Sequence, residues 1–160
     1  MRRLTASPPT GYSGKPLAQK LGVGPGCRLF LHAGPDNYAA LLAPLPPGAQ
    51  VVAQQDAHTD LVHLFATDRA ALARALRSTL RAVRAETPIW VSWPKKSSGV
   101  ASDLTEDVIR EIALPLTLVD IKVCAVDEVW SALKLVIRKS ARPGARPQPR
   151  SAKSAARRTK

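Results

Sequence analysis

The spacing of apolar residues alternates along the chain between the period of a strand and the period of a helix. Short apolar runs bounded by Gly, Pro and polar residues predict strands at residues 28–32, 51–53, 61–67, 89–93, 118–126 and 132–139. Apolar residues repeated three and four positions apart predict helices at residues 15–21, 37–42, 69–85 and 104–114. The last two strands follow each other directly, which is typical of an antiparallel hairpin.

Single residues mark the ends and faces of these elements. Asp68 is a favourable N-cap for the third helix, and Asp103 with Glu106 has capping-box spacing at the start of the fourth. Polar residues alternate with apolar ones in the fifth strand, which predicts one wetter face. The residues expected on that face are Asp120, Lys122 and Cys124.

Strands and helices in alternation predict an α/β fold. We expect a three-layer, Rossmann-like domain whose mixed sheet is mostly parallel and ends in an antiparallel C-terminal hairpin. Ligands of such sheets bind beyond the carboxyl ends of the parallel strands. This rule selects the loops at 32–38, 67–68 and 93–103 as the candidate site region.

Composition divides the chain into three parts. The sequence has 160 residues, and 24 Lys and Arg against 12 Asp and Glu give a formal net charge of +12. Seven basic residues and no acid lie after position 140, and Arg2 and Arg3 add two more. We therefore predict a flexible leader at 1–10, one nearly charge-balanced α/β domain at 11–139 and a disordered basic tail at 140–160.

The same composition argues against several classes of protein. The N-terminal residues lack the apolar run of a secretory signal, and no apolar run is long enough for a transmembrane helix. Cys27 and Cys124 have neither metal-ligand nor redox-motif spacing, which favours free thiols in a reducing compartment. The expectation is a cytoplasmic protein with no membrane partner.

The loop after the fourth predicted strand combines two cations, two hydroxyl groups and a glycine just ahead of a helix. Such a setting favours an anion, for instance a phosphate or a carboxylate. The loop after the first strand reaches the same edge of the sheet, and an aromatic side chain nearby offers an apolar wall. The predicted ligand-binding residues are Lys95, Lys96, Ser97, Ser98, Gly99, Asp36, Asn37, Tyr38 and Trp93. The alternatives are a solvated loop and core packing of the tryptophan.

Other chemistry-bearing residues favour simpler interpretations. Asp56, His58 and Asp60 alternate near His32 and His63 without a specific ligand spacing, so we predict no metal site and an interior, hydrogen-bonded His63. No order of Ser, His and Asp indicates a hydrolase, and no catalytic residue is assigned. The arginines of the third helix are expected to form its solvated face; they are Arg74, Arg77, Arg81 and Arg84.

Several runs of the sequence resemble a bacterial family of short proteins, the domain of unknown function 3052 family. The runs are YSGKPL (12–17), VHLFAT (62–67), WVSWPKKSSGV (90–100), DLTEDVIRE (103–111) and IKVCAVDEVWSALKLVIRK (121–139). The resemblance covers roughly residues 11–139. It implies no particular activity, because the family is named for lacking one.

The order of the elements, with the lead LGVGPGCRLFL (21–31), is also similar to class I S-adenosylmethionine-dependent methyltransferases. In that family a Gly-rich turn and an acidic residue follow the first strand. Here Gly34 is followed at once by Pro35, the glycines of 22–26 come before the strand, and the segment for the ribose-binding carboxylate is missing or very short. The resemblance therefore implies a reduced methyltransferase-like fold that does not hold the cofactor in the usual way.

These observations give one leading hypothesis and two alternatives. The leading hypothesis is a non-catalytic or regulatory module that binds an unidentified small anionic ligand or a protein partner. The binding residues are those predicted in the loops after the first and fourth strands, and no cofactor is assigned. The first alternative is a reduced S-adenosylmethionine-dependent, methyltransferase-like enzyme. The second is weak, sequence-independent association with nucleic acid through the tail between Arg142 and Lys160, which has no aromatic residue for base stacking.

Overall fold

The computed structural model of the chain describes residues 15–141. The predicted leader at 1–10 and the predicted tail beyond residue 141 lie outside the described residues. Within the described part, no helix has both the length and the apolar character needed to cross a membrane.

Strands and helices follow the predicted order. The helices are α1 (Leu17–Leu21), α2 (Tyr38–Leu42), α3 (Arg69–Ala82) and α4 (Glu106–Ala113). The strands are β1 (Arg28–His32), β2 (Gln50–Val52), β3 (Leu61–Phe65), β4 (Ile89–Pro94), β5 (Leu118–Ala125) and β6 (Trp130–Ile137). Single 3₁₀ turns occur at Lys96–Ser98, Leu114–Leu116 and Lys139–Ala141.

The six strands form one sheet in the order β2-β1-β3-β4-β6-β5. Strands β2, β1, β3 and β4 are mutually parallel, whereas β6 runs antiparallel to both β4 and β5. The predicted fold class, a mostly parallel mixed sheet with an antiparallel C-terminal hairpin, is confirmed. Because β5 is antiparallel to β6, it runs in the same direction as β4.

Helices cover both faces of the sheet, which makes three layers. On one face α3 and α4 pack against alternate side chains of β3 and β4, including Leu64 and Trp93. On the other face α1 and α2 pack against the intervening residues, including Phe65 and Trp90. β3 and β4 are buried along their whole length, as expected for central strands of a parallel sheet.

The caps of the two long helices differ from the sequence expectation at one point. Asp68 caps α3, where its carboxylate accepts a hydrogen bond from the Ala71 N–H at 2.8 Å. The fourth helix begins later than predicted, since Thr105 rather than Asp103 is its N-cap. Asp103 instead accepts a hydrogen bond from the Arg69 N–H at 3.0 Å, so it ties the start of α3 to the segment before α4.

Replacing Asp68 with alanine is expected to lower the free energy of unfolding by about 1 kcal/mol, because the Ala71 N–H loses its acceptor. Urea unfolding followed by circular dichroism measures the change. Ser78→Ala, at an exposed position inside α3, is the matched control and should leave stability unchanged or raise it slightly. Equal losses in both variants would contradict the capping role.

Candidate functional site

The candidate site lies where the connections of the sheet reverse direction. From β1 the chain passes to β2, which is the neighbour of β1 on one side. It then returns to β3, which is the neighbour of β1 on the other side. The loops that leave the carboxyl ends of β1 and β3 therefore diverge and leave a crevice between them, which is where open α/β sheets bind ligands.

The loop after β1 makes a tight turn before α2. Ala33 has a φ of 57°, in the left-handed region that non-glycine residues rarely occupy. At Gly34 a Cβ atom would lie 2.6 Å from Leu31 Cδ2, so this glycine lets the loop close against its own strand. Asp36 and Asn37 are exposed at the tip, and no residue of 15–141 forms a hydrogen bond or an ion pair with the Asp36 carboxylate.

A buried chain of three polar side chains lies beneath this crevice. The Tyr38 hydroxyl is 2.8 Å from His63 Nδ1, and His63 Nε2 is 2.7 Å from the Ser92 hydroxyl oxygen. All three residues are buried, and His63 and Ser92 are completely inaccessible. Each imidazole nitrogen thus has a hydroxyl partner, one donating to the ring and the other accepting from it.

Burial sets the ionisation of this chain. Loss of water around the imidazole lowers the pKa of His63 to about 3, so the ring is neutral at physiological pH. Burial also raises the pKa of Tyr38 well above its usual value. The hydrogen bonds among Tyr38, His63 and Ser92 join α2, β3 and β4 through neutral groups. They fix the position of these elements around the crevice.

The sequence missed this connection, although it predicted an interior, hydrogen-bonded role for His63, which is confirmed. The sequence carried a signal for this connection, because His63 is a polar residue in the middle of an otherwise apolar strand. Ser92 is likewise a polar residue inside the apolar run of the next strand. Tyr38, predicted as a ligand-binding residue, is only 3% exposed and is held by His63. Its hydroxyl therefore belongs to the interior of the domain.

The loop after β4 is held by its own hydrogen bonds. The Lys95 N–H donates to the Val129 carbonyl at 2.7 Å, which ties this loop to the turn between β5 and β6. The Ser98 hydroxyl donates to the Lys95 carbonyl at 2.6 Å, and Gly99 has a φ of 79° at the end of the 3₁₀ turn. Ser98 and Gly99 therefore shape the loop, while Lys96 and Ser97 are exposed.

The structure brings the predicted site residues to one edge but not to one point. β3 lies between β1 and β4, so the loops bearing Asp36 and Lys96 leave the sheet about 10 Å apart. Trp93, predicted as an apolar wall, is 8% exposed and packs in the core beneath α3 and α4. Its role in a ligand site stays a prediction.

The remaining candidates are engaged in structural contacts. Asp56 accepts from the His58 N–H at 2.8 Å, and no group of three or more His, Cys, Asp or Glu side chains among residues 15–141 is arranged to hold a metal ion. The Arg28 N–H, together with the Arg84 guanidinium, holds the pKa of Asp60 below its usual value. Arg84 lies beyond the end of α3 and pairs with Asp60 at 3.1 Å, so it does not belong to the predicted solvated arginine face.

The fold is similar to that of solved methyltransferase structures. A SAM-dependent methyltransferase from Aquifex aeolicus superposes with a TM-score of 0.56 and 8% sequence identity over 76% of this chain and 87% of that protein. A Sulfolobus solfataricus protein assigned to the type 11 methyltransferases gives a TM-score of 0.56 and 9% identity over 82% of this chain and 95% of that protein. The chain has a methyltransferase-like fold.

No family model and no curated protein sequence matches the chain. The resemblance to the domain of unknown function 3052 family therefore rests on the sequence runs alone.

The similar structures correct the leading sequence-based hypothesis. A non-catalytic module that binds an anion or a protein partner is contradicted, because the solved structures of this fold named above are methyltransferases. They favour the methyltransferase-like alternative instead. At 8% and 9% identity these structures show the fold, and a fold by itself does not determine an activity.

Proposed function

We propose that the protein is a reduced, S-adenosylmethionine-dependent, methyltransferase-like enzyme that binds this cofactor in the crevice beyond β1 and β3. The observation that carries the proposal is the position of the Asp36 carboxylate, which is exposed at the switch point of a methyltransferase-like sheet. In Rossmann-like sheets a carboxylate farther along the chain commonly accepts hydrogen bonds from the ribose hydroxyl groups, and we assign this role to Asp36 in the loop after the first strand.

The chemistry of the residues at this edge fits the cofactor. Asp68, Asp103 and Asp127 each accept hydrogen bonds from backbone N–H groups at 2.8–3.0 Å, so their carboxylates stabilise the local backbone. Asp36 has no such partner among residues 15–141 and is available to the hydroxyl or ammonium groups of S-adenosylmethionine. Asn37 beside it supplies both an amide donor and an amide acceptor.

The first loop differs from a glycine-rich turn, and the difference defines how the crevice is built. Ala33 takes the left-handed conformation, and Gly34 serves the packing on Leu31. β2 is only three residues long. The side chains that we assign to the crevice are thus Asp36 and Asn37, which take the place of an open glycine-rich backbone.

The cofactor, when bound, supplies a methyl group on a positively charged sulfur. The loop after β4, two strands from β1, lies where a methyl acceptor would be placed beside it. Lys96 and Ser97 are exposed there and would contact the acceptor, with Ser98 and Gly99 shaping the loop and Lys95 anchoring it. We assign the first loop to the cofactor and this loop to the acceptor.

We also infer membership of the domain of unknown function 3052 family. The most specific part of the resemblance, from WPKK to DLTED (93–107), covers the end of β4, the 3₁₀ turn after it and the start of α4, and it includes the loop that we assign to the methyl acceptor.

Calorimetric titration of the full chain with S-adenosylmethionine tests the proposal. We expect saturable binding, and Asp36→Asn should weaken the affinity by about tenfold because a charge-assisted hydrogen bond is lost. Glu86→Gln removes an exposed carboxylate from the opposite edge of the sheet, just before β4, and should leave the affinity unchanged. Lys96→Ala should also leave it unchanged, because Lys96 is assigned to the acceptor.

The three variants separate the outcomes. Absence of binding at millimolar cofactor would overturn the proposed function. Binding that Lys96→Ala weakens as much as Asp36→Asn does would overturn the division of the site between the two loops.

A further inference from the structure

A second cavity lies away from the crevice, between α1 and the outer strand β5. It has a volume of about 240 Å³ and no acidic residue in its lining. The residues that line it are Lys15, Gln19, Lys20, Lys122, Val123, Cys124 and Ala125. Three lysines in the lining of one cavity make a positive site of a size just below the roughly 300 Å³ at which drug-sized pockets begin.

A β-bulge explains why no acidic residue of β5 joins the lysines that line this cavity. In a regular strand Asp120, Lys122 and Cys124 would share a face, as the sequence predicted. The register between β5 and β6 shifts between Asp120 and Lys122, and this extra residue turns the chain over. Asp120 therefore faces α4, where its carboxylate lies 3.1 Å from Arg110 Nε, while Lys122 and Cys124 face α1. The prediction of one shared wet face is corrected.

Lys20 is an unusual residue for this position. Its side chain is only 9% exposed, and its ammonium donates to the Ala125 carbonyl at 3.2 Å. No carboxylate within residues 15–141 forms an ion pair with it. A buried charge with a neutral partner is costly, and an anion in the adjoining cavity would offset that cost.

A pair of lysines on neighbouring strands adds to the excess of positive charge near this cavity. Lys122 on β5 is directly opposite Lys134 on β6, and like charges in that relation destabilise a sheet. Lys134 places its ammonium 5.9 Å from the centre of the Trp90 ring, on the α1 side of the sheet. Burial raises the pKa of the Cys124 thiol, and the positive charges of Lys20 and Lys122 oppose that rise.

We propose that this cavity, which we call the lysine cavity, binds the phosphoryl group of a small phosphorylated molecule. A dianionic group matches a cavity lined by three lysines better than a single carboxylate does. Its volume of about 240 Å³ also leaves room for a few carbon atoms next to the phosphate. The proposal is independent of the methyltransferase function, because the lysine cavity lies on the outer strand and not at the switch point.

Cys124 supplies the readout, and Cys27 supplies an internal reference. Both thiols are free and partly buried, but Cys27 lies at the start of β1, away from the lysine cavity. Alkylation of the full chain by iodoacetamide, with each cysteine peptide quantified by mass spectrometry, follows both rates at once. The probes are inorganic phosphate, ribose 5-phosphate and ribose, each titrated to millimolar concentration.

We expect ribose 5-phosphate to slow the alkylation of Cys124 several-fold while that of Cys27 does not change. Lys122→Gln should raise the half-protecting concentration by about tenfold, and Lys122→Arg should restore most of the protection because it keeps the charge. Lys96→Gln makes the same change in net charge on the loop after β4 and should have no effect. Lys122 is exposed on an outer strand, so these variants are expected to fold.

Equal protection by inorganic phosphate and ribose 5-phosphate would support the proposal and assign the affinity to the phosphoryl group alone. The proposal would be overturned if ribose protected Cys124 as well as ribose 5-phosphate does, or if neither phosphate compound protected it. An equal loss of protection in Lys122→Gln and Lys96→Gln would also overturn it. Calorimetry with S-adenosylmethionine on Lys122→Gln separates this result from the proposed function, since that affinity should stay unchanged.

Discussion

Replacing Trp90 with alanine is expected to lower the free energy of unfolding by about 4 kcal/mol. The side chain is completely buried in the core between the sheet and α1, where it packs with residues such as Leu21 and Ala132. Its indole N–H also donates to the Leu21 carbonyl at 2.9 Å, at the end of α1. The substitution therefore removes a large buried surface and the bond that holds this helix to β4. Urea unfolding at neutral pH measures the loss.

Trp90→Phe separates the two contributions. It keeps an aromatic ring but leaves the buried Leu21 carbonyl without its donor, which should cost on the order of 1–2 kcal/mol. Because α1 carries Lys20, a loosened helix should also reduce the protection of Cys124 by ribose 5-phosphate. A loss in Trp90→Ala no larger than that in Trp90→Phe would contradict a packing role for the indole ring.

The pattern of apolar residues was enough to predict the central sheet. Residues 61–67 form a nearly continuous apolar run, as expected for a strand buried on both faces, and β3 occupies most of it. The direction of β5 and β6 followed from their short connection, because adjacent strands joined by a tight turn are antiparallel. Local signals of this kind act over a few residues and can be read directly from the chain.

Features that depend on one extra residue or on competing caps could not be predicted. The bulge after Asp120 reverses the faces of β5, yet the sequence of that strand continues its alternation without a break. Asp103 and Thr105 are both good N-caps, and the choice between them is decided by the contact of Asp103 with the Arg69 N–H. Tertiary contacts settle such choices, and they are absent from a local pattern.

The two polar sites show the same limit over longer distances. Tyr38, His63 and Ser92 are 25 and 29 positions apart along the chain, and they meet because β3 and β4 are neighbours and α2 covers them. Lys20 meets the end of β5 across 105 positions. The sequence predicted the edge of the sheet at which we propose that a ligand binds, because that edge follows from topology. It could not predict which side chains the fold brings together.

The stability of the protein is expected to fall as the pH falls below about 6.5, and His63 is the main cause. Burial lowers the pKa of the folded imidazole to about 3, whereas in the unfolded chain it is near 6.5. Between these values the unfolded chain binds one more proton than the folded one, so acid favours unfolding. The contribution of the neutral His63 imidazole to the free energy of unfolding is complete above about pH 6.5. On the order of 2–3 kcal/mol of this contribution is lost by pH 4.5.

Urea unfolding from pH 7.5 to pH 4.5 tests this dependence. His63→Gln should be less stable at pH 7.5, because Tyr38 and Ser92 lose the imidazole between them, but its stability should change much less with pH. His58→Gln removes an exposed histidine and should keep the full dependence of the natural chain. The carboxyl of Asp60, whose pKa lies below its usual value, responds only at more acidic pH and leaves this window to the histidine. A pH dependence that persists undiminished in His63→Gln would assign the acid sensitivity to another group and would contradict a neutral, buried imidazole beneath the crevice.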